Sequence, residues 1–137
     1  MTRTNYLLWQ LAQEAAELIE ALDARNQEAI HFEANDLLAV IQMCQVEGII
    51  EYFQMQTVRP SPIPALTTLI QRTSKAAQFG LAESQPGHPN NRTRLTSACQ
   101  IIHSDLMSHA DSQLLANKTA KVEQFYKYSL SCETSWH

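Results

Sequence analysis

Two runs of apolar residues at helical spacing dictate most of what this chain can become. Leu7, Leu11, Leu18 and Leu22 recur along a segment from about Thr4 to Asp23, and Ile30, Leu37, Ile41, Cys44 and Gly48 along one from about Gln27 to Gln54. Apolar positions three and four apart line one face of a helix. Only Ala24-Arg25-Asn26 separates the two segments, with Asn26 suited to cap the second helix and Glu28 a favourable charge in its first turn. A helical hairpin follows.

Pro60, Pro62 and Pro64 then alternate through a linker at 57–64, each lacking an amide donor and pushing its predecessor towards an extended conformation. Leu66, Leu69, Ile70, Thr73 and Ala77 mark a third helix over 65–79, and Gly80 stands where a left-handed C-terminal cap would. The stretch GLAESQPGHPNN reads as a loop, and Asn90 or Asn91 can cap a fourth helix bearing Leu95, Ala98, Ile102 and Leu106. Asp111 or Ser112 starts a fifth, with Leu114, Leu115, Val122, Phe125 and Tyr126, which is expected to end near Leu130 and leave SCETSWH as a loose tail. With three Gly, five Pro and 45% hydrophobic residues in 137, the expectation is one all-α domain, a bundle of four to five helices. Its parts are a hairpin over 4–54 and supporting helices over 65–131.

Composition also excludes function classes. Cys44, Cys99 and Cys132 are odd in number and form no C-x-x-C pair, against both a disulfide framework and a thiolate zinc site. A net charge of −4 leaves no basic footprint for a nucleic acid polymer. No stretch has the layout of a signal peptide or the length of a membrane span, so a soluble, cytoplasmic protein is expected.

Within the hairpin lie two acidic pairs, Glu14 with Glu17 and Glu33 with Asp36, each three residues apart and so on one face of its helix. A turn centred near Arg25 sets Glu14 level with Asp36 and Glu17 level with Glu33. Glu14 falls between Leu11 and Leu18, and Glu33 between Ile30 and Leu37, in register with the stripes that face the core. Four like charges brought together out of water repel at a cost of several kcal/mol unless a cation compensates them. An all-oxygen donor set suits Mg²⁺ or Mn²⁺, whereas zinc would call for His or Cys. Glu28 and His31 make one E-x-x-H step, but a di-iron carboxylate site needs two, and no second exists.

The segments QEAAELIEA and FEANDLLAVIQM resemble the MazG-like all-α nucleoside triphosphate pyrophosphohydrolases, whose signature is E-x-x-E on one helix and E-x-x-D on the next. The likeness covers about residues 7 to 44 and includes the flanking apolar positions. It implies cleavage of a nucleoside triphosphate between the α- and β-phosphates, with Glu14, Glu17, Glu33 and Asp36 as catalytic metal ligands for two or more Mg²⁺ or Mn²⁺ ions. It implies a homodimer or homotetramer, and the segment SKAAQFGLAESQPGHPNNRTRL is similar to phage-encoded members, which implies a purine deoxynucleotide such as dGTP or dATP and a host cytoplasm. Setting ALTTLIQ beside EAAELIE puts Ala65 and Thr68 where Glu14 and Glu17 stand, as in a duplication that lost its acids.

Phosphate charge also needs cations, for which Lys118 and Lys121 are the first candidates, ahead of Arg72, Lys75 and Arg92. Trp9, near the acids, can stack on a base, as can Tyr6 and Phe32; Asn35, with Asn5, Gln10 and Gln13, can hydrogen-bond to base or sugar. Two readings compete with hydrolysis: a noncatalytic oligomeric interaction bundle, and a nucleotide sensor that binds without turnover.

Overall fold

The chain reverses where the short link between the first two segments lies. In the computed structural model, which describes residues 2–51, 53, 64–85, 87 and 92–135, helix α1 spans Arg3–Ala24 and α2 spans Gln27–Val46. Thr2 opens α1 by accepting the Asn5 amide at 3.1 Å, and Arg25 closes it in the left-handed conformation, φ 53°. Asn26 is the cap expected of it, its side-chain oxygen accepting the Ala29 amide at 3.2 Å. One residue thus ends a helix and the next begins another, which forces the two antiparallel.

Helices α3 (Leu66–Ser84), α4 (Arg92–Leu106) and α5 (Ser112–Ser135) complete an all-helical bundle, with a single 3₁₀ turn at Met107–His109 and no strand among the described residues. Helix α1 packs between α2 and α3, α4 lies against α3 and α2, and α5 crosses back over α2. Every residue from Ala34 to Ile41 is buried, so α2 is surrounded on all sides and is the axis of the bundle. Leu7, Leu8, Leu11, Leu18 and Leu22 fill the space between it and α3, and Leu95, Ile102 and Leu106 cover its far side. No helix among the described residues is long and apolar enough to cross a membrane.

Three boundaries differ from the sequence reading. Helix α2 stops at Val46 rather than near Gln54, because Gly48 turns left-handed at φ 71° and the Ile49 amide donates back to the Cys44 carbonyl at 2.9 Å. The chain then tucks Ile49, Ile50 and Phe53 into the core. Helix α3 runs through Gly80 to Ser84; that glycine is no cap but faces α1, where an added Cβ would meet the Leu8 carbonyl oxygen at 3.4 Å. Helix α5 runs on to Ser135, since SCETS contains neither Gly nor Pro to stop it. Linker positions 57–63 and the proposed caps Asn90 and Asn91 lie outside the described residues. Asp111 does cap α5, accepting the amides of Gln113 at 3.0 Å and Leu114 at 3.2 Å.

Candidate metal centre

The hairpin brings its two acidic pairs to the same height. One carboxylate oxygen from each of Glu14, Glu17, Glu33 and Asp36 lies within 4.8 Å of the other three. Glu14 and Asp36 are buried at 3% and 6% exposure, while Glu17 and Glu33 are half-buried. From α5, Lys118 reaches across and donates to Glu14 Oε1 at 2.7 Å, with its Nζ 3.7 Å from Asp36 Oδ2. Glu14 Oε2 and Glu33 Oε2 are buried without a hydrogen-bond partner.

Crowding and burial hold Glu14, Glu33 and Asp36 towards their neutral forms. Burial pushes Glu14 up to about 7; the Lys118 hydrogen bond opposes that, and the neighbouring Glu17 carboxylate adds to it. Glu33 is pushed up to about 8, first by burial and then by the negative charges of Glu17, Asp36 and Glu14. Burial raises Asp36 as well, against the attraction of Lys118. One lysine therefore does not balance four carboxylates. Two buried oxygens without partners, in a cluster whose donors are all oxygen, fit a hard divalent cation. With no His or Cys in the group, zinc fits poorly.

Beside the cluster opens a groove of about 330 Å³ between α1 and α5. The helices run antiparallel there, as three contacts along their length show: Lys118 to Glu14, the Tyr6 hydroxyl donating to the Val122 carbonyl at 3.1 Å, and Arg3 paired with Glu123. Residues Tyr6, Trp9, Gln10, Gln13 and Glu17 form one wall at helical spacing, and Lys118, Lys121, Val122, Phe125 and Ser129 form the other. Glu14, Glu17 and Lys118 make one end charged, while Tyr6, Trp9, Val122 and Phe125 make the other apolar and aromatic.

The structure therefore brings Trp9, Lys118 and Lys121 to the same groove as Glu14 and Glu17. It does not bring Asn35 there. That side chain is wholly buried and spans α2 and the start of α5, donating to the carbonyls of His31 at 2.8 Å and His109 at 2.9 Å and accepting the Asp111 amide at 2.8 Å. Arg92 and Arg72 are engaged elsewhere, with Glu83 and Asp105, both at 2.8 Å. Phe125 and Ser129 join the groove although sequence reasoning had given them no ligand role; the signal was their helical spacing from Lys118 and Val122. Comparison with protein-family models, with curated proteins and with solved structures finds no match to this chain.

Proposed function

We propose that this protein is a metal-dependent pyrophosphohydrolase of nucleoside triphosphates, with a purine deoxynucleotide such as dGTP or dATP as the first substrate to test. The observation that carries the reading is the convergence of four carboxylate oxygens within 4.8 Å at the charged end of an open groove. Trp9 and Glu17 lie eight positions apart on α1, about 12 Å of helix rise. That separation suits a ligand with a polyanionic chain at one end and a planar ring at the other.

In this reading Glu14, Glu17, Glu33 and Asp36 hold Mg²⁺ or Mn²⁺, two or more ions between them, and are held in turn by the rigid hairpin. When bound, such ions supply Lewis-acid stabilisation of phosphoryl oxygens and a water of lowered pKa. Lys118 and Lys121 neutralise phosphate charge along the α5 wall. Trp9, 45% exposed, and Phe125, 62% exposed, offer aromatic faces to a base, and Gln10 and Gln13 offer amides between the two ends. Exposed Tyr128 and Leu130, further along α5, are surface that a second copy would cover, in keeping with a homodimer or homotetramer.

A second reading is favoured by one contact. In a noncatalytic interaction bundle or nucleotide sensor, Lys118 would be the permanent counter-ion of Glu14, as its 2.7 Å hydrogen bond allows. The deciding experiment follows products from a panel of ribo- and deoxynucleoside triphosphates with Mg²⁺ or Mn²⁺, for wild type and Glu17→Gln. Monophosphate and pyrophosphate from wild type alone support the hydrolase. No turnover of any nucleotide with either metal favours the noncatalytic readings.

A further inference from the structure

The ion pairs that reach the four acids, among the described residues, all come from one side chain. Lys118 Nζ sits between Glu14 on α1 and Asp36 on α2, at 2.7 and 3.7 Å, with the lysine side chain only 15% exposed. A divalent ion bridging those two helices would need the oxygens that the ammonium now holds, and two cations on one set of lone pairs repel strongly at such range. The lysine also has somewhere to go. Its side chain lines the groove next to Lys121, and its flexible four-carbon stem lets the ammonium turn outwards while the stem stays packed.

We propose that Lys118 is a displaceable counter-ion: it clamps Glu14 to Asp36 in the metal-free protein, yields their oxygens to the incoming divalent ion, and turns into the groove to meet an anionic ligand. The proposal rests on the metal-binding reading of the cluster. It also gives the orphaned Glu14 Oε2 a reason, since the lysine satisfies only one oxygen of that buried carboxylate. Competition makes the empty site hold a lone metal ion weakly. A ligand that takes up the released ammonium strengthens metal binding, and by linkage the metal strengthens ligand binding to the same degree. Lys118 thus offsets part of the cluster's charge in the metal-free protein, and the divalent ion takes over that part when it binds.

The test is Mn²⁺ titration of the full chain by calorimetry, without nucleotide, for wild type, Lys118→Met and Lys121→Met. Removing the competitor should tighten Mn²⁺ binding about tenfold or more in Lys118→Met, while Lys121→Met, which removes an exposed charge from the same wall, should change it less than about threefold. Equal tightening by both variants, or none in Lys118→Met, overturns the proposal and leaves the metal site standing. No Mn²⁺ binding by either wild type or Lys118→Met overturns the metal site and the proposal with it. A measurement on wild type guards against a variant that misfolds: amine labelling read by mass spectrometry should find Lys118 protected without Mn²⁺ and labelled several-fold faster with it. Equal labelling with and without bound Mn²⁺ also overturns displacement.

Discussion

The α1–α2 hairpin and the α3–α4 pair treat buried negative charge in opposite ways. In the second half, Glu83 accepts from Arg92 and Asp105 accepts from Arg72, both at 2.8 Å, so each sequestered acid has an arginine of its own, although Asp105 Oδ2 is itself buried without a hydrogen-bond partner. In the first half Lys118 pairs with Glu14 and Asp36, two of the four acids, and two of the cluster's buried oxygens have no hydrogen-bond partner. A buried charge left unpaired costs several kcal/mol. The α3–α4 pair meets that cost from within its own sequence, whereas the hairpin keeps it and presents the acids to a groove. The difference lies in the cations: one arginine for each sequestered acid in the second half, one lysine beside four acids in the first.

Neutralising one acid in each half is the strongest way to break that contrast. Under the proposed function, Glu33→Gln should lower turnover by about a hundredfold or more, roughly 3 kcal/mol in the barrier, while making the metal-free protein more resistant to urea. Glu83→Gln should do the reverse, lowering stability by about 1–3 kcal/mol as Arg92 loses its carboxylate and leaving turnover intact. Pyrophosphate release and urea midpoints measured on the same preparations decide it. A metal-free Glu33→Gln protein as destabilised as Glu83→Gln would mean that both halves use their acids structurally.

Asn35 sharpens the contrast inside the hairpin, because it stands next to Asp36 in sequence yet works as a fastener. Its three hydrogen bonds join α2 to the turn that starts α5, and α5 is the helix that delivers Lys118. Asn35→Ala should therefore cost about 2 kcal/mol in urea unfolding. It should also weaken the Lys118 to Glu14 contact indirectly, so Lys118 should label faster in this variant without metal. A stability change below about 0.5 kcal/mol would show that α5 is held by its apolar contacts alone.

The hairpin's acids should also make stability depend on pH. Unfolded carboxyls release their protons near 4.5, whereas folded Glu14 and Glu33 hold theirs to about 7 and about 8. Between those limits the folded state binds more protons, so metal-free stability is greatest at the acid end of the window and falls as pH rises from about 5 to 8. Saturating Mn²⁺ should flatten that slope, because bound cations replace the protons. Thermal melts at pH 5 and pH 8, with and without metal, should show a fall of a few degrees only in its absence. Glu33→Gln should remove part of the fall.

The convergence of the acids is legible in the sequence because it depends on arithmetic along two helices of equal rise and one short turn. Glu14 with Asp36 and Glu17 with Glu33 are each equidistant from Arg25, and Asn26 marks the turn by its capping chemistry. What escaped was tertiary or conformational. Gly48 continues the helical spacing of the α2 stripe, and only its positive φ ends the helix there. The Lys118 contact spans 104 residues and depends on α5 returning across α2 to the edge of α1, which no local pattern encodes. Asn35 looks like any exposed amide until the burial of its neighbours from Ala34 to Ile41 is known.

Gly80 is the instructive failure of local reading and yields the smallest predicted effect. A glycine after a run of helical spacing ordinarily suggests a left-handed cap, yet α3 continues four residues further, to Ser84, and Gly80 is turned towards α1. An added Cβ would meet the Leu8 carbonyl oxygen at 3.4 Å, the Ala12 amide nitrogen at 3.5 Å and Leu11 Cδ2 at 3.5 Å, all ordinary van der Waals contacts. Alanine therefore fits, and inside a helix it is favoured over glycine by up to about 1 kcal/mol. Gly80→Ala should raise the urea stability by about 0.5–1 kcal/mol without altering metal binding. Gly80→Leu should lower it, because a longer side chain would have to push α3 off the helix that carries Glu14 and Glu17, and Mn²⁺ affinity should fall with it. If Gly80→Ala destabilises instead, the two helices meet more tightly than these distances indicate, and the hairpin's acids are held in register from the α3 side as well as by the turn at Arg25.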